Sequence, residues 1–196
     1  APPVEEPAPE PEEEPEQEPV APPPAPPQAP EPEPQIDESI ILYLPIDQDG
    51  DDHSSNSWET DWQGQANIVQ DNDRENVLEL GGTADDYVII RDFEMPNTLT
   101  QSFWMKTADR SKAGSPTSYA TDQSDNDFLL YDYRGLKIYR GSNVATGISL
   151  NDGEWHHVAV TWDVDSGEVK LYKDGVEEYS GTLSQNRPVA ETGAFV

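Results

Sequence analysis

Cysteine is absent from the 196-residue chain, and basic residues are scarce. The absence of cysteine excludes disulfides, thiolate metal sites and cysteine nucleophiles, and it leaves the redox compartment open. Lys and Arg number 11 against 40 Asp and Glu, for a formal net charge of −29. A chain this acidic has no basic footprint for nucleic acid or for an anionic membrane surface. No apolar run approaches the roughly 18 residues of a membrane-spanning helix, and no signal peptide is visible.

The first 35 residues differ in composition from everything that follows. They hold 15 of the 19 prolines and 10 Glu, and they contain no Lys, Arg, Leu, Ile or aromatic residue. Such a segment cannot bury enough apolar surface to offset its chain entropy, so we expect residues 1–35 to be a disordered, extended linker. A plain spacer is one interpretation. A proline-rich recruiting ligand is the other, although the flanking basic residue that such ligands usually carry is missing.

Residues 36–196 have the composition of a folded domain. All 5 Trp, 8 Tyr and 4 Phe lie there. Short apolar or alternating runs recur at a spacing of about 8–12 residues, separated by Gly, Asp and Asn, which is typical of a β-sandwich or barrel. No helical period of convincing length is present, so we expect an antiparallel all-β domain. The predicted strands are Ile40–Ile46, Val77–Leu80, Tyr87–Ile90, Leu99–Thr107, Asp127–Tyr133, Leu136–Arg140, Trp155–Asp163, Glu168–Lys173 and Val176–Leu183.

The clearest local pattern lies in the last third of the chain. The run from Trp155 to Asp163 alternates strictly and predicts a strand with one buried face. Asp174-Gly175 predicts a two-residue type I′ hairpin turn, because both of its central residues need positive φ. The buried face of the strand is expected to carry His156, Val158, Val160 and Trp162. The expected core includes Val158, Val160, Trp162 and Leu171.

Two blocks of sequence resemble a known family. Gly153–Asp163 (Gly-Glu-Trp-His-His-Val-Ala-Val-Thr-Trp-Asp) and Leu171–Gly175 (Leu-Tyr-Lys-Asp-Gly) look like the concanavalin A/laminin-G-like jelly roll. Ser118–Thr121 (Ser-Tyr-Ala-Thr), followed by Asp125–Tyr133 (Asp-Asn-Asp-Phe-Leu-Leu-Tyr-Asp-Tyr), resembles the pentraxin domain, closest to the neuronal-pentraxin type. The resemblance covers roughly residues 76–196, and more loosely residues 38–75. It implies an antiparallel two-sheet β-sandwich of the concanavalin A-like jelly-roll type.

The sequence departs from the pentraxin pattern in two places. The intradomain disulfide of the family has no counterpart, because Ser102 and Ala159 stand at the matching positions. The family continues beyond a strand like Gly193–Val196 into a Gly-Gln-Glu-Gln-Asp loop, whereas this sequence stops before it. The resemblance therefore implies a sandwich that is incomplete at its C-terminus.

Asp125, Asn126 and Asp127 are the candidate metal ligands. Calcium takes six to eight oxygen ligands, and adjacent Asp and Asn offer two. Taken alone, the triplet is more typical of a turn. The resemblance implies that Asp125 and Asn126 supply half of a two-calcium site, with Asp127 contributing its carbonyl or turning its side chain elsewhere. The acidic loop would supply the other half, so we expect weak calcium binding by the chain as it stands.

Leu129 and Tyr131 are the candidate ligand-contacting residues. They alternate on the strand that leaves the proposed metal site, so they share one face. The resemblance implies that apolar side chains here touch the bound ligand. Ordinary packing on the sheet surface is the alternative.

Three further groups look less like sites. The Asp47–Asp52 loop departs from the EF-hand pattern, since its glycine comes two positions early and Trp58 stands where a bidentate glutamate belongs. A solvated turn is the better interpretation there, and a structural turn is also favoured for Asp85-Asp86. His156 and His157 point to opposite faces of a strand, so they cannot chelate one zinc ion.

The motifs favour recognition over catalysis. The paired carboxylates of jelly-roll glycoside hydrolases are missing at the required spacing, and no nucleophile elbow or phosphate loop is present. We therefore expect a non-catalytic, extracellular or cell-surface module that binds a carbohydrate or phosphate-bearing ligand with calcium, by resemblance to the family. A calcium-independent laminin-G-like carbohydrate- or protein-binding adhesion module is the alternative. The identity of the ligand and the oligomeric state of the intact parent stay open.

Overall fold

The computed structural model describes residues 36–46, 49–189 and 192–196. The chain divides into two units, Ala1–Gln35 and Ile36–Val196, and the expected linker falls in the first, outside the described residues. No membrane-spanning helix occurs in the described part of the chain.

The described residues form thirteen strands: β1 (Thr60–Gln63), β2 (Asn67–Asp71), β3 (Glu75–Glu79), β4 (Tyr87–Phe93), β5 (Thr98–Met105), β6 (Thr117–Thr121), β7 (Ser124–Tyr131), β8 (Lys137–Arg140), β9 (Ser142–Ala145), β10 (His156–Asp163), β11 (Glu168–Lys173), β12 (Val176–Thr182) and β13 (Gly193–Phe195).

The strands of the second unit form two main sheets. A seven-stranded sheet has the order β1-β4-β13-β6-β7-β8-β9, and a four-stranded sheet has the order β12-β11-β10-β5. Strands β2 and β3 form a separate two-stranded sheet. Every pairing is antiparallel. The expected antiparallel jelly-roll sandwich is confirmed, with β13 inserted between β4 and β6.

The core lies between the two sheets, where their apolar faces meet. Along β10, inward and outward side chains alternate without interruption, as the sequence pattern predicted. Trp162 is 1% exposed, and its indole Nε1 donates a hydrogen bond to the Leu183 carbonyl at 2.8 Å. Phe128 of the facing sheet lies 6.2 Å from the Trp162 ring. All four predicted core residues are buried: Val158, Val160, Trp162 and Leu171.

The turn between β11 and β12 has the predicted geometry. Asp174 has φ 53° and Gly175 has φ 81°, so both central residues lie in the left-handed region. The Asp174 amide also donates to the His157 carbonyl at 2.8 Å, which ties the turn to β10. The type I′ hairpin is therefore confirmed.

The predicted strand Ile40–Ile46 is wrong. This segment has no strand structure, although Ile41, Leu42 and Leu44 pack against the core. The Tyr43 amide donates to the Asp52 carboxylate at 2.8 Å, and the Tyr43 carbonyl accepts from the His53 amide at 2.9 Å. Pro45 has no amide hydrogen to donate to a neighbouring strand. The apolar run correctly predicted that side chains of this segment pack against the core, but it wrongly predicted a β-strand.

Ser102 and Ala159 are directly opposite each other on β5 and β10. The two positions that match the family disulfide are therefore cross-strand neighbours. Backbone pairing of two eight-residue strands joins them in place of a covalent bond.

Candidate functional site

An irregularity in the β6–β7 hairpin shapes the candidate metal site. Thr121 pairs with Ser124 and Tyr119 pairs with Phe128, so residues 125–127 lie opposite the single residue Ala120. A bulge of this kind breaks the alternation of side chains and redirects them. The bulge places Asp125 and Asn126 at the surface in succession, where a regular strand would send one of them inward.

Asp125 and Asn126 together offer two oxygen ligands of the kind that calcium prefers. Both side chains are exposed. Within residues 36–46, 49–189 and 192–196, no group of three His, Cys, Asp or Glu side chains could hold a metal ion. The pair is therefore an incomplete ligand set, and its role as a calcium site stays a prediction.

Asp127 turns away from this pair and into the protein. It is 4% exposed and forms an ion pair with Arg140, which is itself fully buried. The guanidinium of Arg140 also donates to the carbonyls of Arg187 and Pro188 and lies 5.4 Å from the Trp162 ring. Burial lowers the pKa of Arg140, and the Asp127 carboxylate opposes that shift. The sequence left open whether Asp127 contributes its carbonyl to the metal site or turns its side chain elsewhere. The structure shows the side chain turned to Arg140.

The sequence analysis missed Arg140, although a signal was present. Ile138 and Arg140 are the two buried positions of β8, at a spacing of two residues. Strand periodicity thus placed an arginine on the core face, and a buried arginine requires an acidic partner. The choice among the many carboxylates of the chain could not be read from the sequence.

Leu129 and Tyr131 lie on the face of β7 opposite to Phe128 and Leu130, which belong to the core. Tyr131 packs edge-on against Tyr139 of β8, with ring centroids 6.1 Å apart, and Leu129 is the register partner of Tyr139. The expected shared face is present. The contact of this face with a ligand stays a prediction.

A cavity of about 570 Å³ opens beside the β6–β7 turn. Its wall includes Thr121, Asp127 and Arg187, but neither Asp125 nor Asn126. The candidate calcium pair therefore faces solvent and not this cavity.

Asp52, at the end of the Asp47–Asp52 segment, joins residues on both sides of it through its carboxylate. Asp52 is 7% exposed and accepts hydrogen bonds from the amides of Tyr43, Ser54 and Trp58 at 2.8–2.9 Å. Burial raises and these hydrogen bonds lower the pKa of Asp52, and the net shift is downward. Asp47 lies outside the described residues. The buried carboxylate of Asp52 therefore stabilises the surrounding turns.

Asp86 has the same role in the turn before β4. Its carboxylate accepts from the amides of Gln65 and Thr83, each at 2.8 Å, and from the Thr83 hydroxyl at 2.8 Å. These bonds hold the pKa of Asp86 below its ordinary value, the Gln65 amide contributing most. The structural-turn interpretation of Asp85-Asp86 is confirmed for Asp86.

The two adjacent histidines face opposite ways, as expected. His156 is buried, with Nδ1 2.7 Å from Asp174 and Nε2 2.9 Å from Asp152. The hydrogen bond from His156 is the largest cause of the lowered pKa of Asp174. His157 lies on the other face, its ring centroid 5.2 Å from that of Trp104. The two rings cannot share one ion.

Comparison with known proteins bears on the family and the fold of the chain. Residues 81–196 match the family described as the concanavalin A-like lectin/glucanases superfamily. A pentraxin domain-containing relative from Rattus norvegicus, "Sushi, von Willebrand factor type A, EGF and pentraxin domain-containing protein 1", is 42% identical over 104 residues, covering 51% of this chain and 3% of that protein. Human neuronal pentraxin-1 is 32% identical over 102 residues, covering 50% of this chain and 24% of that protein.

Solved structures share the fold at low sequence identity. The binding domain of botulinum neurotoxin DC, solved with rat synaptotagmin II, superposes with a TM-score of 0.63 at 15% identity, covering 79% of this chain and 42% of that one. The binding domain of Paraclostridial Mosquitocidal Protein 1 gives a TM-score of 0.60 at 14% identity, covering 74% and 40%. The family match over more than half of the chain, together with the sandwich and its motifs, shows that the chain belongs to the concanavalin A-like lectin/glucanases superfamily, as a pentraxin-like jelly-roll domain.

Proposed function

We propose that this chain is a non-catalytic extracellular recognition module that binds a carbohydrate or phosphate-bearing ligand through calcium at Asp125 and Asn126. The bulge in β7 is the observation that carries the proposal, because it turns both side chains to the surface. The same strand continues to Leu129, which is buried, and to the half-buried Tyr131, on the face opposite to Phe128 and Leu130. A divalent ion held there would supply the positive charge that the acidic domain lacks.

The pentraxin-domain relatives support binding, whereas the family description alone does not decide between binding and catalysis. The matched family is described by lectins as well as glucanases, and the relatives carry pentraxin domains by name. A retaining or inverting glycosidase needs two carboxylates positioned across a bond, and the sequence motif that supplies them is missing. The chain spans 3% and 24% of the two relatives above, so their whole activities are not carried over.

Calcium binding is the direct test of the proposed site. In a longer form of the chain that supplies the acidic loop of the pentraxin family, calcium should raise the melting temperature, because a ligand that binds only the folded state stabilises it. Asp125→Ala should weaken calcium binding more than Asn126→Ala, since it removes a charge as well as an oxygen. Calorimetric titration of both variants measures the difference. Asp165→Ala, in the exposed turn after β10, removes the same charge elsewhere and should leave binding unchanged.

Three results would count against the proposal. Melting of the longer form that is indifferent to millimolar calcium and to chelator would make Asp125 and Asn126 turn residues and leave only the shared fold. Ligand binding that survives chelation would favour the calcium-independent adhesion module. Hydrolysis of a β-glucan would show an enzyme.

A further inference from the structure

The β2–β3 hairpin is built as an attachment to the sandwich and not as part of it. Its strands pair only with each other, and none of their side chains is fully buried. The hydrophobic core of the described residues includes no side chain of this hairpin. The turn that joins its strands, residues 72–74, instead contacts the exposed Trp104 of β5 and the neighbouring Lys106. The hairpin is therefore held mainly by surface contacts, and such elements open at low free-energy cost.

Arg74 at the tip of this turn stacks on two tryptophans. Its guanidinium carbon lies 3.3 Å from the ring centroid of Trp104 and 5.4 Å from that of Trp155. Trp104 is nevertheless 48% exposed, and His157 flanks it on the neighbouring strand. No ion pair among the described residues involves Arg74, so the aromatic faces hold its charge.

Two carboxylates complete the surroundings of the tryptophans. The Trp155 indole Nε1 donates to Asp71 at 3.2 Å, which fixes the plane of that ring. Lys106 lies 3.7 Å from Asp71 and 3.5 Å from Asp73. The pKa of Asp71 is lowered, first by a hydrogen bond from the Asp73 amide, so the carboxylate stays ionised at neutral pH. Lys106 Nζ also lies 5.7 Å from the Trp155 ring centroid, so Trp155 is partly covered by a second cation, whereas the Trp104 face is open to a planar cation.

We propose that Trp104 and Trp155, the latter oriented by Asp71, form a guanidinium-binding cage that Arg74 fills from within the chain and that an arginine side chain of a basic partner protein can occupy in its place. The native occupant shows which chemistry fits the cage. Residues 36–196 carry 30 acidic against 11 basic residues, which attracts a basic partner from a distance. Arginine should be preferred over lysine, because a flat guanidinium can stack on the Trp104 ring and is more weakly hydrated than an ammonium.

Arg74 also sets the affinity of the cage. A tethered group has an effective concentration in the millimolar range, so a single free arginine competes poorly with it. A partner that supplies several basic residues would gain affinity from the surrounding carboxylates and could displace the turn. Removing Arg74 should therefore reveal binding that the intact domain largely conceals.

The test follows the indole Nε1–H signals of Trp104 and Trp155 by NMR while Nα-acetyl-arginine amide is added. In Arg74→Ala, both signals should shift with saturation, at a midpoint about tenfold lower than in the wild type. The corresponding lysine and citrulline amides should bind much more weakly. Arg91→Ala removes an exposed arginine that pairs with Asp61, and it should behave as the wild type does.

Equal midpoints in the wild type and Arg74→Ala would overturn the proposal, as would equal binding of the arginine and citrulline amides. Adding Trp104→Ala to Arg74→Ala should abolish the shift of the Trp155 signal. Because Trp104 is 48% exposed and lies outside the core cluster, this variant should still fold and melt cooperatively. Saturable binding that persists without Trp104 would place the probe elsewhere and refute the cage. Preference of the opened cage for a neutral oligosaccharide over the arginine amide would refute the partner class.

Discussion

The buried pair of Asp127 and Arg140 connects three parts of the chain that are distant in sequence. The side chains are 6% and 1% exposed, and Arg140 also binds the carbonyls of Arg187 and Pro188. Removing two charges from water costs several kcal/mol, which their attraction and hydrogen bonds offset only while both are present. Each side chain thus offsets the free-energy cost of burying the charge of the other.

Asp127→Ala should lower the free energy of unfolding by about 3–5 kcal/mol, because it leaves Arg140 buried without its carboxylate. Urea denaturation at neutral pH measures the loss. Combining Asp127→Leu with Arg140→Met should recover most of it, since apolar side chains of similar volume often replace a buried pair.

The exposed pair of Asp61 and Arg91, at 3.1 Å, is the matched control. Asp61→Ala should change stability by no more than about 1 kcal/mol, as expected for a solvent-exposed ion pair. A comparable loss for Asp61→Ala and Asp127→Ala would show that burial is not what makes the inner pair important.

Acid should destabilise the protein through Asp109. The Ser111 hydroxyl and amide, both at 2.7 Å, lower the pKa of Asp109 from 3.8 to about 2, and the Tyr133 hydroxyl adds to them. The folded state therefore binds fewer protons than the unfolded chain. The stabilisation is complete above about pH 4 and is lost as the pH falls towards about 2. Asp109→Asn should cost stability near neutral pH and much less near pH 2, measured by urea denaturation across that range.

Asp165→Asn removes a carboxylate from an exposed turn and provides the comparison. If its effect depends on pH as strongly as that of Asp109→Asn, the acid sensitivity belongs to the overall charge of the domain and not to the hydrogen bonds around Asp109.

At the scale of the strand pair, the β11–β12 turn depends on the backbone conformation of Gly175. Gly175 has φ 81°, and a Cβ placed there would meet nothing within 4 Å. Glycine is therefore favoured at position 175 because of its positive φ angle, and not because a side chain would collide with its neighbours. A residue with a side chain in this conformation is disfavoured by about 1–2 kcal/mol.

Gly175→Ala should accordingly lower the free energy of unfolding by about 1–2 kcal/mol, measured by chemical denaturation. Gly135→Ala is its control, because a Cβ there also meets nothing within 4 Å but the residue has no positive φ. Gly135→Ala should be close to neutral. Equal losses in both variants would exclude the positive φ as the cause.

For the molecule as a whole, cross-strand pairing takes the place of a covalent link between β5 and β10. Ser102 and Ala159 are register partners, and such pairs have Cα atoms about 4.5–5.5 Å apart. Disulfides need Cα separations of about 4.4–6.8 Å. The backbone is therefore already arranged for a disulfide that the sequence does not contain.

The double variant Ser102→Cys with Ala159→Cys should form a disulfide on oxidation and raise the free energy of unfolding by about 2–4 kcal/mol, mainly by restricting the unfolded chain. Thermal melting with and without reductant measures the gain, which should disappear on reduction.

Ser102→Cys with Thr161→Cys is the mismatched control, because Thr161 pairs with Thr100 and lies diagonally from Ser102. Diagonal neighbours are about 7–8 Å apart, beyond the reach of an unstrained disulfide. Equal stabilisation by both double variants would contradict the register.

Most of the fold was predicted from local sequence patterns, namely the alternation of apolar and polar residues and the turn residues between strands. The alternation of β10 identified Val158, Val160 and Trp162 as core residues, and the predicted turn at Asp174-Gly175 has the expected φ angles. Period-two burial and positive φ are properties of neighbouring residues, so one stretch of sequence is enough to show them. The apolar run at Ile40–Ile46 failed because hydrogen bonds to Asp52 and His53, farther along the chain, decide its backbone.

The sequence by itself determined that the domain is antiparallel all-β, which faces its regular strands bury and that Asp125 and Asn126 stand together. Only the tertiary structure decided that a bulge turns both of them to the surface, that Asp127 is committed to Arg140, and that Arg74 lies on Trp104. Each of these depends on partners that the folded chain brings together across many residues. An acidic sequence offers far too many carboxylates for such pairings to be chosen before the sheets are assembled.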